Sequence, residues 1–170
     1  ALHGPVLSEN LAHYLDLYNK WSSYTPEKDG VMIAYTSIYG NTKKAAELLY
    51  DKLKAKGVDV IITDLARCDM SKAISDAFAY GKLVLATPTY NADVFPFMRT
   101  FIEGLTERNY QKRTVAFIEN GAWAPMAAKV MAGMFEKSKE LNILDKTVKI
   151  TCALNDASAA QIDELADELA

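Results

Sequence analysis

From residue 31 onward the chain alternates between short unbroken apolar runs and longer stretches in which apolar residues recur every three or four positions. The first pattern has the length of buried strands, and the second is that of amphipathic helices. Residues 31–36, 58–63, 83–87, 114–119 and 147–154 show the first; residues 42–56, 71–80, 96–107, 125–141 and 158–170 show the second. Over 42–56, Ala45, Ala46, Leu48, Leu49 and Leu53 share the inward face, and Gly57 follows as a terminator. Pro96 suits a first helical turn. Five strands alternating with five helices predict an α/β architecture, an open five-stranded parallel sheet with helices on both faces. Interior strands apolar on both faces fit burial between two helical layers. Right-handed crossovers favour the strand order 2-1-3-4-5.

Residues 1–28 behave differently and predict a connecting arm and helix, with 29–170 as the domain proper. Ser8 is placed to cap a helix in which Leu11, Tyr14, Leu15, Tyr18 and Trp21 recur on one face. Pro26 disfavours helix at Thr25, within the polar stretch 22–30. The opening Ala1-Leu2-His3-Gly4-Pro5 has the look of a segment cut from a longer protein, or of one whose start was processed away.

Composition narrows the class. Of 170 residues, 50% are hydrophobic and 24% charged, the balance of a globular chain with one sizeable core. A formal net charge of −3, with Lys and Arg scattered among acids, provides no basic field for nucleic acid. No apolar run reaches membrane-spanning length, so no membrane partner is expected. Cys68 and Cys152 lie far apart and outside any CxxC pattern, which points away from a disulfide framework or zinc site and toward a reducing cytoplasm. Cys152, inside an apolar run, is expected to be a buried packing residue, and His13 a surface residue.

In a doubly wound sheet, ligands bind beyond the carboxyl ends of the strands at the switch in strand order. Three loops converge there. The first is Thr36-Ser37-Ile38-Tyr39-Gly40-Asn41-Thr42. Its hydroxyls, backbone N–H groups and helix start suit an anion held by neutral donors, with Gly40 permitting close approach or positive φ. The same residues would serve as a capped turn with Thr42 as N-cap. The second is Thr87-Pro88-Thr89-Tyr90-Asn91-Ala92-Asp93-Val94-Phe95-Pro96, where Tyr90 and Asn91 can meet a planar ligand and its polar edge. The bland alternative is a tyrosine packed on its own loop. The third is Asn120-Gly121-Ala122-Trp123-Ala124-Pro125, with Gly121 giving backbone access and Trp123 a flat apolar face. A terminal phosphate, a polar stem and a flat ring system satisfy all three loops, and FMN has that shape.

The segment 35–42, ending Gly40-Asn41-Thr42, resembles the FMN phosphate loop of flavodoxins. Thr87-Pro88-Thr89-Tyr90-Asn91 with Pro96 resembles the second flavin loop of the flavodiiron proteins (A-type flavoproteins) more than that of free flavodoxins. His3-Gly4-Pro5 and a helix bearing Tyr18 and Trp21 resemble that family's junction between its diiron domain and its C-terminal flavodoxin-like domain. The resemblance covers essentially the whole chain. It implies a flavodoxin-like fold, FMN as cofactor, Ser37, Ile38, Tyr39, Gly40, Asn41 and Thr42 on the phosphate, and Pro88, Thr89, Tyr90, Asn91, Asn120, Gly121, Ala122 and Trp123 on the ring. It also implies electron relay from a rubredoxin-like donor to a diiron site that reduces O2 or NO, in a protein that works as a homodimer. His3 matches a diiron ligand, but with its companions missing no metal is assigned to this chain. The Ala122-Trp123-Ala124-Pro125 run departs from the family, which has more glycine and hydroxyl residues there.

Other readings have less support. A phosphate-accepting receiver domain needs acids at the ends of strands one and three, where this chain has Thr36-Ser37 and Thr87-Pro88. Neither GxGxxG nor GxxxxGK[ST] occurs. A stand-alone FMN-dependent NAD(P)H:quinone reductase and a flavin-free scaffold of the same fold are the remaining alternatives.

Overall fold

The structure, a computed structural model, describes residues 4–170. After helix α1 (Leu11–Ser23), strands and helices alternate in the order β1 (Lys28–Tyr35), α2 (Asn41–Ala55), β2 (Val60–Asp64), α3 (Met70–Ala79) and β3 (Tyr80–Tyr90). Then come β4 (Asp93–Val94), α4 (Pro96–Thr106), β5 (Thr114–Asn120), α5 (Ala127–Met134), β6 (Asn142–Ile143), β7 (Val148–Ile150) and α6 (Asp156–Leu169). The sheet runs β2-β1-β3-β5 in parallel, with β6 and β7 pairing successive stretches of the far edge of β5. This is the expected order, with the last strand divided in two.

Alternation along the strands explains the two layers. Met32, Ala34, Leu83, Leu85, Val115 and Phe117 face one side, where they pack with Ala73 and Ala77 of α3, Met98 and Phe101 of α4 and Met131 of α5. Val31, Ile33, Val84, Ala86, Ala116 and Ile118 face the other, against Leu49 and Leu53 of α2 and Ile162 and Leu165 of α6. Both faces are thus buried, as the continuous apolar runs require.

Several elements depart from expectation. Strand β3 continues through Tyr90 and folds back as a hairpin, pairing Thr89 with Val94 and Tyr90 with Asp93. The hairpin turn places Asn91 (φ 51°) and Ala92 (φ 58°) in the left-handed region, the two-residue geometry usually built from Asn-Gly. Helix α5 is shorter than the predicted 125–141, because the chain turns after Met134 and buries Phe135. The last strand ends at Ile150. Cys152 is exposed at φ 65°, not a core residue, because the chain turns out of the sheet through the Thr151–Ala153 bridge. Asn155 caps α6 and Ser158 completes a capping box, so Ser158 lies inside that helix and does not start it.

Helix α1 also differs. Its N-cap is Asn10, in a left-handed conformation without a side-chain cap, and Ser8 lies outside the helix. None of its residues is buried; the apolar stripe, Tyr14, Tyr18 and Trp21 included, remains exposed, as does His13. What fastens α1 is its carboxyl end. The buried Arg113 guanidinium donates to the carbonyls of Tyr24, Phe78 and Tyr80, Lys112 Nζ donates to Ser23 O, and Trp21 Nε1 donates to Glu27. His3 lies outside the described residues. No helix is long and apolar enough to cross a membrane.

Candidate functional site

The carboxyl ends of β1, β3 and β5 are tied together beneath a cavity of about 250 Å3. Thr36 and Thr87 share a buried hydroxyl–hydroxyl bond of 2.7 Å at its floor. Ser37, Ile38, Tyr39, Asn41, Thr42, Pro88, Thr89, Asn120, Gly121 and Ala122 line it, together with Cys152. Ten of the fourteen residues singled out from the sequence therefore meet in one hollow, with no Lys or Arg in its lining. A larger hollow of about 640 Å3 lies between the α4–β5 link and the segment after α5, lined by Tyr24, Tyr110, Met134 and Lys137 among others. None of the three converging loops reaches it.

The first loop is built to receive an anion. Ser37 Oγ accepts the Gly40 N–H at 3.0 Å and pins the turn. Gly40 takes φ 86° as the N-cap of α2, and a Cβ there would meet no atom within 4 Å. The glycine is needed for its backbone angle and not for close packing. Thr42 lies one residue inside α2 and provides no side-chain cap. As a result the N–H groups of Ile38, Tyr39, Asn41, Thr42 and Lys43 have no acceptor among the described residues. An uncapped helix start with a favourable dipole is where a phosphate is held.

The α5 start is already satisfied. Thr89 Oγ1 accepts the Met126 and Ala127 N–H groups at 3.0 and 3.2 Å, and Glu119 Oε2 accepts the Ala128 N–H at 3.0 Å. Glu119 is only 3% exposed, with Lys149 Nζ 3.9 Å from its other oxygen. Thr89 thereby fastens the third loop to the second. A Cβ on Gly121 would stand 3.1 Å from Pro125 Cα and 3.4 Å from Thr89 Oγ1, so these loops approach too closely for a larger residue without displacement.

Four singled-out residues lie outside the cavity lining. Gly40 shapes the first loop from its backbone. Tyr90 and Asn91 line a neighbouring hollow of about 350 Å3 with Asp93 and Arg99. Tyr90 packs edge-on against Phe95 with centroids 5.4 Å apart. Trp123 projects into solvent, 95% exposed. The second loop is braced by Asp93, which accepts from Val94 N–H at 2.6 Å and from Arg99 Nη2. The Arg99 guanidinium holds the Asp93 carboxyl below the usual carboxylate range.

Cys152 and the turn around it were not anticipated. Their place follows from β7 ending at Ile150, which brings the next residues over the same edge as the three loops. Asn120 reaches both sides of the cavity, its Nδ2 donating to Thr42 Oγ1 at 3.3 Å and to Cys152 O at 3.2 Å. Among the described residues no cluster of His, Cys, Asp and Glu has the arrangement of a metal site.

Fold order, switch-point cavity and uncapped α2 start together define the flavodoxin-like class. The model of the flavodoxin family matches residues 33–160, and the chain belongs to that family. An uncharacterised protein of Methanocaldococcus jannaschii is 29% identical over 99% of this chain and 43% of its own length. A nitric oxide reductase of Moorella thermoacetica is 25% identical over 81% of this chain and 34% of its own. This chain therefore spans less than half the length of either relative. The flavodiiron protein of Giardia intestinalis shares the fold with a TM-score of 0.87 at 16% identity, over 95% of this chain and 40% of that one. An archaeal flavodoxin, at TM-score 0.70 and 18% identity, matches 82% of this chain but 95% of its own.

Proposed function

We propose that this chain binds FMN at the cavity beyond β1, β3 and β5 and serves as an electron-transfer domain of the flavodiiron kind. The observation that carries this is the α2 amino end. Five backbone N–H groups without acceptors and the Ser37 and Thr42 side chains converge on one cavity, while α5 and α6 are capped by side chains. The residues present fit a phosphorylated flavin. Ser37, Ile38, Tyr39, Gly40, Asn41 and Thr42 would hold the phosphate through neutral donors, and Pro88, Thr89 and residues 120–122 would line the stem and ring edge. Tyr90 and Trp123, apolar and exposed, gain the most from a flat ring that covers them.

When bound, FMN supplies one- and two-electron redox chemistry, and the protein sets orientation and access. The Thr89 and Asp93 anchors hold the second and third loops in one shape, which limits the reorganisation needed to receive the ring. Relatives named nitric oxide reductase, and flavodiiron proteins of the same fold that extend well beyond this chain, favour a donor such as rubredoxin and a diiron acceptor outside residues 1–170. In that arrangement residues 1–28 form the junction between domains and 29–170 the flavin-binding unit. The visible absorption spectrum of the purified protein, before and after FMN is added, tests the proposal. Flavin absorbance that stays with the protein through gel filtration and is released on denaturation as FMN supports it. A colourless protein that ignores added FMN overturns it.

A further inference from the structure

Asn120 ends β5 beneath the cavity and is 8% exposed. Its amide nitrogen has two acceptors, the Thr42 hydroxyl and the Cys152 carbonyl. The carbonyl fixes which end of the amide faces it, since only the NH2 group can donate. One side chain thus links the first turn of α2 to the turn after β7, segments more than a hundred residues apart in sequence.

The consequence lies at Thr42. A hydroxyl has one proton and two acceptor lone pairs. An Asn120 N–H occupies a lone pair, so the proton must point elsewhere. Thr42 is 2% exposed, lines the cavity, and has no acceptor for that proton among the described residues. We infer that Asn120 is a positioning residue that holds the Thr42 hydroxyl as a donor into the cavity, and so selects a phosphorylated flavin over its dephosphorylated form. The inference rests on the FMN proposal and adds to it a source of specificity that contacts the phosphate only through Thr42.

The test is a comparison of FMN and riboflavin affinities by fluorescence quenching, with wild-type protein and the variants Asn120→Ala, Thr42→Val and the two combined. Wild-type protein is expected to prefer FMN. Asn120→Ala should reduce that preference at least fivefold, with riboflavin affinity changed less than threefold. Adding Thr42→Val should reduce it little further, because both changes remove the same donor. A preference unchanged in Asn120→Ala, or losses that simply add, overturns the inference while leaving the FMN proposal standing. Wild-type protein that binds neither flavin overturns both. Asn120→Asp is the second variant, in case the alanine fails to fold. Its carboxylate takes the Thr42 proton and sets a negative charge near the phosphate, so the preference for FMN should fall at least tenfold. Riboflavin binding reports that each variant is folded, and equal losses for both ligands in Asn120→Asp contradict the inference.

Discussion

Replacing Thr89 by valine removes one oxygen and leaves the shape of the side chain nearly unchanged. That oxygen accepts the Met126 and Ala127 N–H groups, so it caps α5 from a strand 37 residues earlier. Each ordinary hydrogen bond contributes about 0.5–1.5 kcal/mol net, which puts the pair at about 1–3 kcal/mol. Thr89 is half-buried, and water can reach the freed donors in part. The lower part of that range, about 1–2 kcal/mol, is therefore expected, in line with the loss of a helix cap. For a chain of this size it corresponds to a fall in Tm of roughly 2–8 °C. The assay is thermal and urea unfolding of the flavin-free protein, with Thr89→Ser as a control that keeps the oxygen and should lose less. The third loop, no longer fastened to the second, should also bind FMN several-fold more weakly. A Thr89→Val protein whose Tm matches wild type would refute the capping role.

Trp123→Ala should weaken FMN binding by about 1–3 kcal/mol through lost aromatic burial. Trp123 is solvent-exposed, so the melting temperature of the flavin-free protein should not move; unchanged affinity removes Trp123 from the site. Ala92→Gly relieves a left-handed alanine in the second-loop hairpin. It should stabilise the protein by about 0.5–1 kcal/mol in urea unfolding, the strain released exceeding the added chain entropy; a destabilised variant would show the angle to be unstrained. The Asp93 carboxyl titrates below its ordinary 3.8 because Arg99 donates to it. Its contribution is fully present above that value and is lost as the pH falls through the folded pKa. Both side chains are more than a third exposed, so the effect is small, about 0.2–1 kcal/mol. Asp93→Asn should be less stable than wild type at pH 7 and converge with it in strong acid, and a gap independent of pH contradicts the pairing.

The parallel sheet and its order were legible because each strand is an apolar run of the right length between helices of clear periodicity. The first loop was legible too, since small hydroxylated residues beside a helix start have few other uses. The capping of α5 was not, because its acceptors, Thr89 and Glu119, come from strand ends and become neighbours only once β3 and β5 pair. The hairpin at Asn91-Ala92 lacks the glycine that would have announced it. Cys152 was misplaced in the core because an apolar run does not reveal where a strand ends. Helix α1 shows the reverse: its spacing predicted an apolar face, and the structure leaves that face uncovered while the helix is fastened by its carboxyl end.

The most direct measurement is amide chemical-shift mapping of isotope-labelled protein titrated with FMN. The largest changes should fall on the amides of residues 38–43, whose donors lack protein acceptors, with smaller ones at 87–91 and 120–123. An absence of saturable shifts, or shifts confined to the larger hollow around Tyr110 and Lys137, would contradict phosphate capture at the start of α2.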